Sequence, residues 1–275
     1  MSALEKAIHR EVLASGAEKV GVAFRHLSSG AELLYEADHA FHPASTFKLC
    51  VMMEAYRRAE EGTFPLDAPI PITNEFPSIV DGSPYHLFPV DDSDPDLYDR
   101  IGSQLPVRNL IERMIERSGN LATNILLERL DPSSVTRFME ALGAGDLIVR
   151  RGVEDNKAFA IGVNNAATAR GLTTCLYRLA VHKVVSPTSD REMIDVLLRQ
   201  HDKKGIPRLL PEGTKIAHKT GWNGPLYHDA AIIYPLGEAP YILTVMTQGL
   251  SDEDEGPALV AKLSQLIYEA RNHLD

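Results

Sequence analysis

The 275-residue chain is longer than a typical single domain, which predicts one large domain or two interleaved subdomains around a substantial core. Hydrophobic residues make up 44% and charged residues 24%, close to average soluble usage, and no apolar run reaches the roughly eighteen residues a membrane span needs. A formal net charge of -10 with no Lys/Arg-rich block argues against nucleic acid as a partner, because phosphate recognition calls for a basic stripe.

Two cysteines, Cys50 and Cys175, are too few for a disulfide framework and are expected as buried free thiols. The opening "MSALEKAIHREVLASGAEKV" carries charges throughout and lacks the uninterrupted apolar core of a signal peptide. A cytoplasmic location is expected for the sequence as it stands, and a periplasmic or secreted one if a signal has been removed.

Leu4, Ala7, Ile8 and Val12 recur at helical spacing, which predicts a first helix over Ala3 to Ala14, ended by Ser15-Gly16. Two β-rich runs, Val20 to Leu27 and Glu32 to Glu36, flank the turn Ser28-Ser29-Gly30 and predict a hairpin. Thr46 to Arg58 reads as a helix with Phe47, Cys50, Val51 and Ala55 on one face. From Phe64 to Leu105 the chain is rich in Pro, Asp and Ser without sustained periodicity, and it is expected as a long surface excursion, either a functional lid or disordered.

Helical patterns resume at Pro106 and run to a break near Gly119, then over Leu121 to Leu130 and Pro132 to Leu142. Gly143 to Asn165 is again non-periodic, and Ala166 to His182 and Ser189 to Gln200 look helical. After Gly205 three β-rich runs follow, "TKIAHKTGW", "DAAIIYP" and "YILTVMTQG". A helix from about Gly256 to Leu274 closes the chain, its start preceded by acidic residues that suit the positive end of a helix dipole.

This order predicts an α+β fold, an α/β/α sandwich. One antiparallel sheet is built from both chain termini (1–42 and 205–275) and flanked by the terminal helices, and residues 43–204 form an all-helical subdomain.

Three short motifs carry chemistry. Ser45 stands where a helix begins, as an N-cap serine would, yet Lys48 falls one turn later on the same face, within reach of the Ser45 hydroxyl. A serine hydroxyl attacks only once a base takes its proton, and a lysine serves as that base only if burial lowers its pKa. Ser118-Gly119-Asn120 lies at a break between helices, where a helix stop followed by a new cap is the plain alternative to a functional role. Lys219-Thr220-Gly221 interrupts a predicted strand, and glycine in a strand marks the close approach of another backbone or a ligand.

Ser-x-x-Lys at a helix start, Ser-x-Asn between helices and Lys-Thr-Gly on a late strand together resemble the signature of class A β-lactamases and penicillin-binding DD-peptidases. The resemblance spans nearly the whole chain, since the predicted layout is similar to that fold. It implies that Ser45 is the acylated nucleophile and Lys48 its base, that Ser118 passes a proton to the leaving nitrogen, and that Asn120 positions substrate. Lys219 and Thr220 would hold a substrate carboxylate, and the backbone N-H groups of Ser45 and Trp222, the residue after Gly221, would form the oxyanion hole.

Class A enzymes release the acyl group with a glutamate on a loop after the second motif. Glu154, 36 residues after Ser118, stands at a similar separation and is the candidate base, with a solvated loop carboxylate as the alternative. Departures are visible: Gly119 stands where the family has aspartate, the "EPELN" sequence is missing, and Ala158 occupies the place expected for a water-holding asparagine, for which Asn156 is the candidate substitute. The arginine that supports carboxylate binding from the next strand is also absent near its expected place, where "LYHDAA" offers His228 and Asp229; His228 is the candidate substrate contact there, with a purely structural histidine as the alternative.

No His-Glu-x-x-His, Cys/His cluster, G-x-G-x-x-G, P-loop or G-x-S-x-G occurs, so no metal and no cofactor is expected. The expectation is a monomeric serine hydrolase acting on a small β-lactam through an acyl-Ser45 intermediate. The alternatives are an esterase or peptidase/amidase on the same scaffold, or a non-hydrolysing penicillin-binding domain.

Overall fold

The computed structural model describes residues 2–250 and 252–274. Helix α1 (Ala3–Ser15) opens on a capping box between Ser2 and Glu5 and closes on the left-handed Gly16. Strands β1 (Lys19–His26) and β2 (Glu32–Tyr35) form the expected hairpin, Val22 opposite Tyr35 and Arg25 opposite Glu32. A 3-10 turn, Ala44–Phe47, then feeds helix α2 (Lys48–Glu60), whose first nine residues are all buried at the centre of the helical half.

The stretch 64–105 is ordered rather than a free lid. Its strands form two short ribbons, β3 (Pro69–Pro71) with β6 (Gln104–Pro106) and β4 (Phe76–Pro77) with β5 (Pro84–Tyr85), and two 3-10 turns cover Pro89–Asp91 and Pro95–Arg100. Phe76, Leu87 and Leu97 anchor it by burial, each such side chain contributing about 1.5–3 kcal/mol. No single periodicity runs through these pieces, which is why the sequence pattern reads as irregular.

Helices α3 (Val107–Glu116), α4 (Asn120–Leu130) and α5 (Pro132–Ala141) follow as expected. The non-periodic stretch after them contains a short helix, α6 (Asn156–Ala160), capped by Asp155. Helix α7 (Ala169–Ala180) begins later than its apolar pattern predicts, because Ala166 and Ala167 form β-bridges with Ile148 and Phe41 and Thr168 caps the helix. Helix α8 (Pro187–Leu198) begins earlier, with Ser186 as its cap and proline at its first position.

Strands β7 (Lys215–Asn223), β8 (Leu226–Tyr234) and β9 (Tyr241–Gln248) complete a five-stranded antiparallel sheet in the order β2-β1-β9-β8-β7, and helix α9 (Glu255–Ala270) returns across it. Both chain ends therefore contribute to one sheet, which leaves β7 at its edge. Alternate residues divide between two cores: Val22, Phe24, Leu243 and Val245 pack with α1 and α9, while Ala23, Ile232, Ile242 and Met246 face α7 and the helical half. Burial on both faces explains why apolar residues follow one another in β8 and β9 instead of alternating with polar ones, and why the polar residues they do contain, His228, Asp229, Thr244 and Thr247, are buried as well. Where α7 crosses β9, the Thr173 hydroxyl donates to that of Thr244 at 2.9 Å, so the buried polar groups are paired.

Cys50 and Cys175 are both free and buried. Among the described residues no helix is long and apolar enough to cross a membrane, and no cluster of three or more His, Cys, Asp or Glu side chains offers a metal site.

The buried Asp155 carboxylate ties the 64–105 excursion to the loop that carries Glu154, accepting from Ser78 Oγ and from the Ile79 N-H, both at 2.9 Å. Asp155→Ala removes these bonds together with the α6 cap. It should cost about 2–3 kcal/mol in urea denaturation, and an unchanged midpoint would refute this coupling.

Candidate active site

Three elements meet at the edge strand: the 3-10 turn before α2, the corner between α3 and α4, and β7. Gly221 permits the closest approach. A Cβ there would lie 2.9 Å from the Pro43 carbonyl oxygen and from the Ser45 nitrogen, and 3.0 Å from the Thr46 nitrogen, so only glycine lets β7 lie against the backbone of the turn.

Ser45 is half-buried and caps no helix; α2 begins at Lys48 without a side-chain cap. Its hydroxyl makes no hydrogen bond with another described residue, which leaves it available to a substrate. Lys48 is fully buried and does not hydrogen-bond Ser45 as its spacing predicts. Its Nζ donates instead to the Ser118 carbonyl at 2.6 Å and to Asn120 Oδ1 at 2.8 Å, with Ser118 Oγ at 3.5 Å. Burial, and then repulsion from Lys219, hold the Lys48 amine well below its ordinary pKa, against the opposing pull of Asp92 and Glu154.

Lys219 is also fully buried, donating to Ser118 Oγ at 3.0 Å and to the Thr220 carbonyl at 2.7 Å. Burial brings its pKa down to about 7, with Asp202 and Asp229 opposing. The Ser118 hydroxyl thus stands between two buried amines and accepts from both, leaving its own proton free to donate. Thr220 and Trp222 lie beside Ser45 along a cavity of about 680 Å3 that continues past Ser118, His201, Asp202 and Lys204.

A second cavity, about 790 Å3, opens on the other side of Ser45 and is lined by Asn120, Glu154, Asn156, Phe159 and Trp222 among others. Glu154 is half-buried; its Oε1 accepts a 3.4 Å hydrogen bond from Asn120 Nδ2. Desolvation, then the charges of Asp91 and Asp92, raise its pKa, while the Asn120 bond and Lys48 pull it back down. Asn124 on α4 fixes the approach to it, accepting from the Val153 N-H at 2.7 Å and donating to the Val153 carbonyl at 3.0 Å. Asn156 is exposed on the cavity wall, whereas Ala158 is buried and does not line the cavity.

Of six described non-glycine residues with positive φ, three surround these cavities: Ala44, Ser118 and Glu154, at 45°, 62° and 61°. Each costs about 1–3 kcal/mol and persists only where surrounding contacts over-determine it.

Seven expected residues, Ser45, Lys48, Ser118, Asn120, Glu154, Lys219 and Thr220, come together here, with Gly221 and Trp222 beside them. His228, the expected substrate contact, lies outside both cavities. It is fully buried in β8, its Nε2 bonded to the His42 carbonyl at 2.9 Å and its Nδ1 accepting from the Thr247 N-H at 3.1 Å. Burial first, and repulsion from His42, bring its pKa to about 4. It braces the segment leading into Ser45.

Residues 90–93 of the excursion also line the second cavity, and only their acidic run "DDSDPD" marks them in the sequence. Arg151, which the sequence reading passed over, closes the Glu154 loop by donating to Asn164 Oδ1 at 2.9 Å and to the Val163 carbonyl at 3.1 Å.

A family model described as the beta-lactamase enzyme family matches residues 3–271. The carbapenem-hydrolyzing beta-lactamase KPC of Klebsiella oxytoca is 26% identical over 259 residues, 91% of this chain and 83% of that protein. A beta-lactamase of Streptomyces albus G is 29% identical over 271 residues, 93% of this chain and 81% of that one. Among solved structures, an ancestral class A beta-lactamase superposes with a TM-score of 0.85 at 27% identity, covering 97% of this chain and 99% of its own. PBP-A, at 24% identity, shares the fold with a TM-score of 0.85 over 100% of this chain and 97% of its own.

Gly221→Ala drives a methyl group into backbone that has no side chain to swing aside. It should cost about 1–3 kcal/mol in thermal denaturation. A variant as stable as wild type would show that the contact is not tight.

Proposed function

The chain belongs to the beta-lactamase enzyme family, and we propose that it is a serine β-lactamase that opens the β-lactam amide through an acyl-Ser45 intermediate. The observation that carries this reading is the pair of buried amines at Ser118 beside an uncommitted Ser45 hydroxyl. The relatives at 26–29% identity, named as beta-lactamases over more than nine-tenths of this chain, support it further.

In this reading the neutral Lys48 amine takes the Ser45 proton, directly or through an intervening water or the Ser118 hydroxyl, as Ser45 Oγ bonds to the carbonyl carbon. Charge developing on the carbonyl oxygen falls to the backbone N-H groups of Ser45 and Trp222. The carbon–nitrogen bond then breaks, and the leaving nitrogen takes the Ser118 hydroxyl proton, which the Lys48 ammonium replaces. Lys219 and Thr220 hold the substrate carboxylate, Lys219 by charge and Thr220 by its hydroxyl.

For release, Glu154 takes a proton from a water that attacks the ester carbon. The Ser45–carbon bond then breaks, and Ser45 recovers its proton. The raised pKa of Glu154 brings its basicity closer to neutrality, where a general base is more effective. All of these groups belong to one chain, so a monomer suffices.

Mass spectrometry after mixing with a penicillin should find one adduct on Ser45, absent in Ser45→Ala; no adduct at any time or concentration would overturn acylation. Glu154→Gln should acylate normally and release at least about a hundredfold more slowly, and unchanged release would remove Glu154 from the mechanism. Comparing nitrocefin with p-nitrophenyl esters separates lactam from ester hydrolysis.

Lys219 carries its charge below about pH 7 and loses it above. KM for a carboxylate-bearing lactam should therefore rise on the alkaline side of neutrality, unless the bound carboxylate itself holds the proton on Lys219. In that case the rise moves upward with substrate saturation, and kcat/KM still falls from about pH 7. A kcat/KM flat from pH 6 to 9 would exclude the Lys219 charge from binding.

A further inference from the structure

Gly119 is not a glycine for conformational reasons. Its φ of -59° and ψ of 125° are open to any residue, so what crowds a side chain there is the neighbouring segment and not the backbone conformation. A Cβ at position 119 would lie 3.1 Å from Asp94 Cβ and 3.4 Å from Asp94 Oδ2. The Asp94 carboxylate, fully buried, sits where a side chain on residue 119 would go. Arg113 Nη1 donates to both its oxygens at 2.9 and 2.7 Å, and Arg117 Nη1 reaches Oδ1 at 3.1 Å.

Two residues earlier in the excursion, the buried Asp92 makes the complementary contact. Its Oδ1 accepts from the Asn120 N-H at 2.8 Å and its Oδ2 from the Leu121 N-H at 2.9 Å, at the positive end of α4. Tyr98 Oη donates to the same carboxylate at 3.0 Å, as does the Asp94 N-H. Asp92 and Asp94 therefore grip the corner from both sides of Gly119. That corner carries the left-handed Ser118, whose carbonyl and hydroxyl, together with Asn120 Oδ1, receive the Lys48 amine.

We propose that Asp92 and Asp94 are positioning residues for acylation: the excursion supplies, from a distant part of the chain, the carboxylates that hold Ser118 and Asn120 against Lys48. Ser93, between them, lines both cavities together with Ser45 and Trp222, so the same two anchors set the wall that a substrate meets. The uncharged Gly119 and the acidic run 91–96 then form one device, with the charge moved off the corner and onto the segment packed over it.

The inference rests on the acyl-serine reading, and its test combines two measurements that fail separately. The first is the rate of Ser45 labelling by a fluorescent penicillin in wild type, Asp94→Gly, Gly119→Asp and the double variant. Asp94→Gly should label at least about tenfold more slowly, as expected for loss of a charge-assisted contact. Gly119→Asp alone should also be slow, because two carboxylates then compete for one space. The double variant, which returns a single carboxylate to that space, should recover most of the rate. Both single variants labelling at the wild-type rate, or a double variant no faster than the slower single one, overturns the proposal.

The second measurement is amide hydrogen exchange at Asn120 and Leu121 in Asp92→Asn, which needs no substrate. These amides should exchange at least about tenfold faster than in wild type, and unchanged exchange overturns the anchoring role. Asp94→Ala, which removes the carboxylate and keeps helical and extended backbone equally accessible, replaces Asp94→Gly in the single and the double variant if the glycine variant does not fold. Wild type that never labels, with fast exchange in Asp92→Asn, rejects the acyl-serine reading and with it the acylation role, leaving Asp92 a structural anchor.

Discussion

Two lysine amines buried at a single hydroxyl are the constraint on which the rest of this structure depends. Moving a charged amine out of water is costly unless acceptors surround it, and two amines so close repel each other as well. Lys48 and Lys219 come from opposite halves of the fold, one from the first residue of α2 and the other from the edge strand β7. They meet only because both direct their Nζ atoms to Ser118. Neutral oxygens satisfy the donors, while Asp92, Glu154, Asp202 and Asp229 offset the charge from farther away. An arrangement of this kind favours a neutral amine, which is the state a general base requires.

The rest of the architecture serves to hold that meeting in place. The sheet, covered on both faces, presents a rigid edge, and Gly221 lets that edge lie directly against the turn that carries Ser45. The strained residues Ala44, Ser118 and Glu154 all border the two cavities at Ser45. Such conformations survive only when neighbours fix them. His228 braces the approach to Ser45, Asn124 clamps the residue before Glu154, and Asp92 holds the backbone just after Ser118.

The 64–105 excursion takes part in this as fully as the helices do. Its buried leucines and phenylalanine attach it to the core, Asp155 joins it to the Glu154 loop, and Asp92 and Asp94 join it to the corner at Gly119. Gly119 and Ala158 offer no functional group when each position is read alone. Once the excursion is folded back onto the corner, Gly119 becomes the space that Asp94 occupies.

The amino-acid sequence by itself determined the longer helices, the strands of the main sheet and the identity of the chemistry. β-rich runs bounded by turn residues marked β1, β2, β7, β8 and β9, helical periodicity marked α2 through α5, and three spaced motifs named Ser45, Lys48, Ser118, Asn120 and Lys219. These signals are local, arising from repeats over a few residues that govern which face is buried, so they survive without knowledge of the fold. Tertiary structure alone decided what each charge touches. Lys48 bonds to Ser118 and Asn120 rather than to Ser45, His228 is sealed inside the sheet, and two aspartates from an irregular stretch cap and fill a corner some twenty-five residues away. Those outcomes depend on desolvation and on contacts between distant segments, and neither leaves a periodic trace in the sequence.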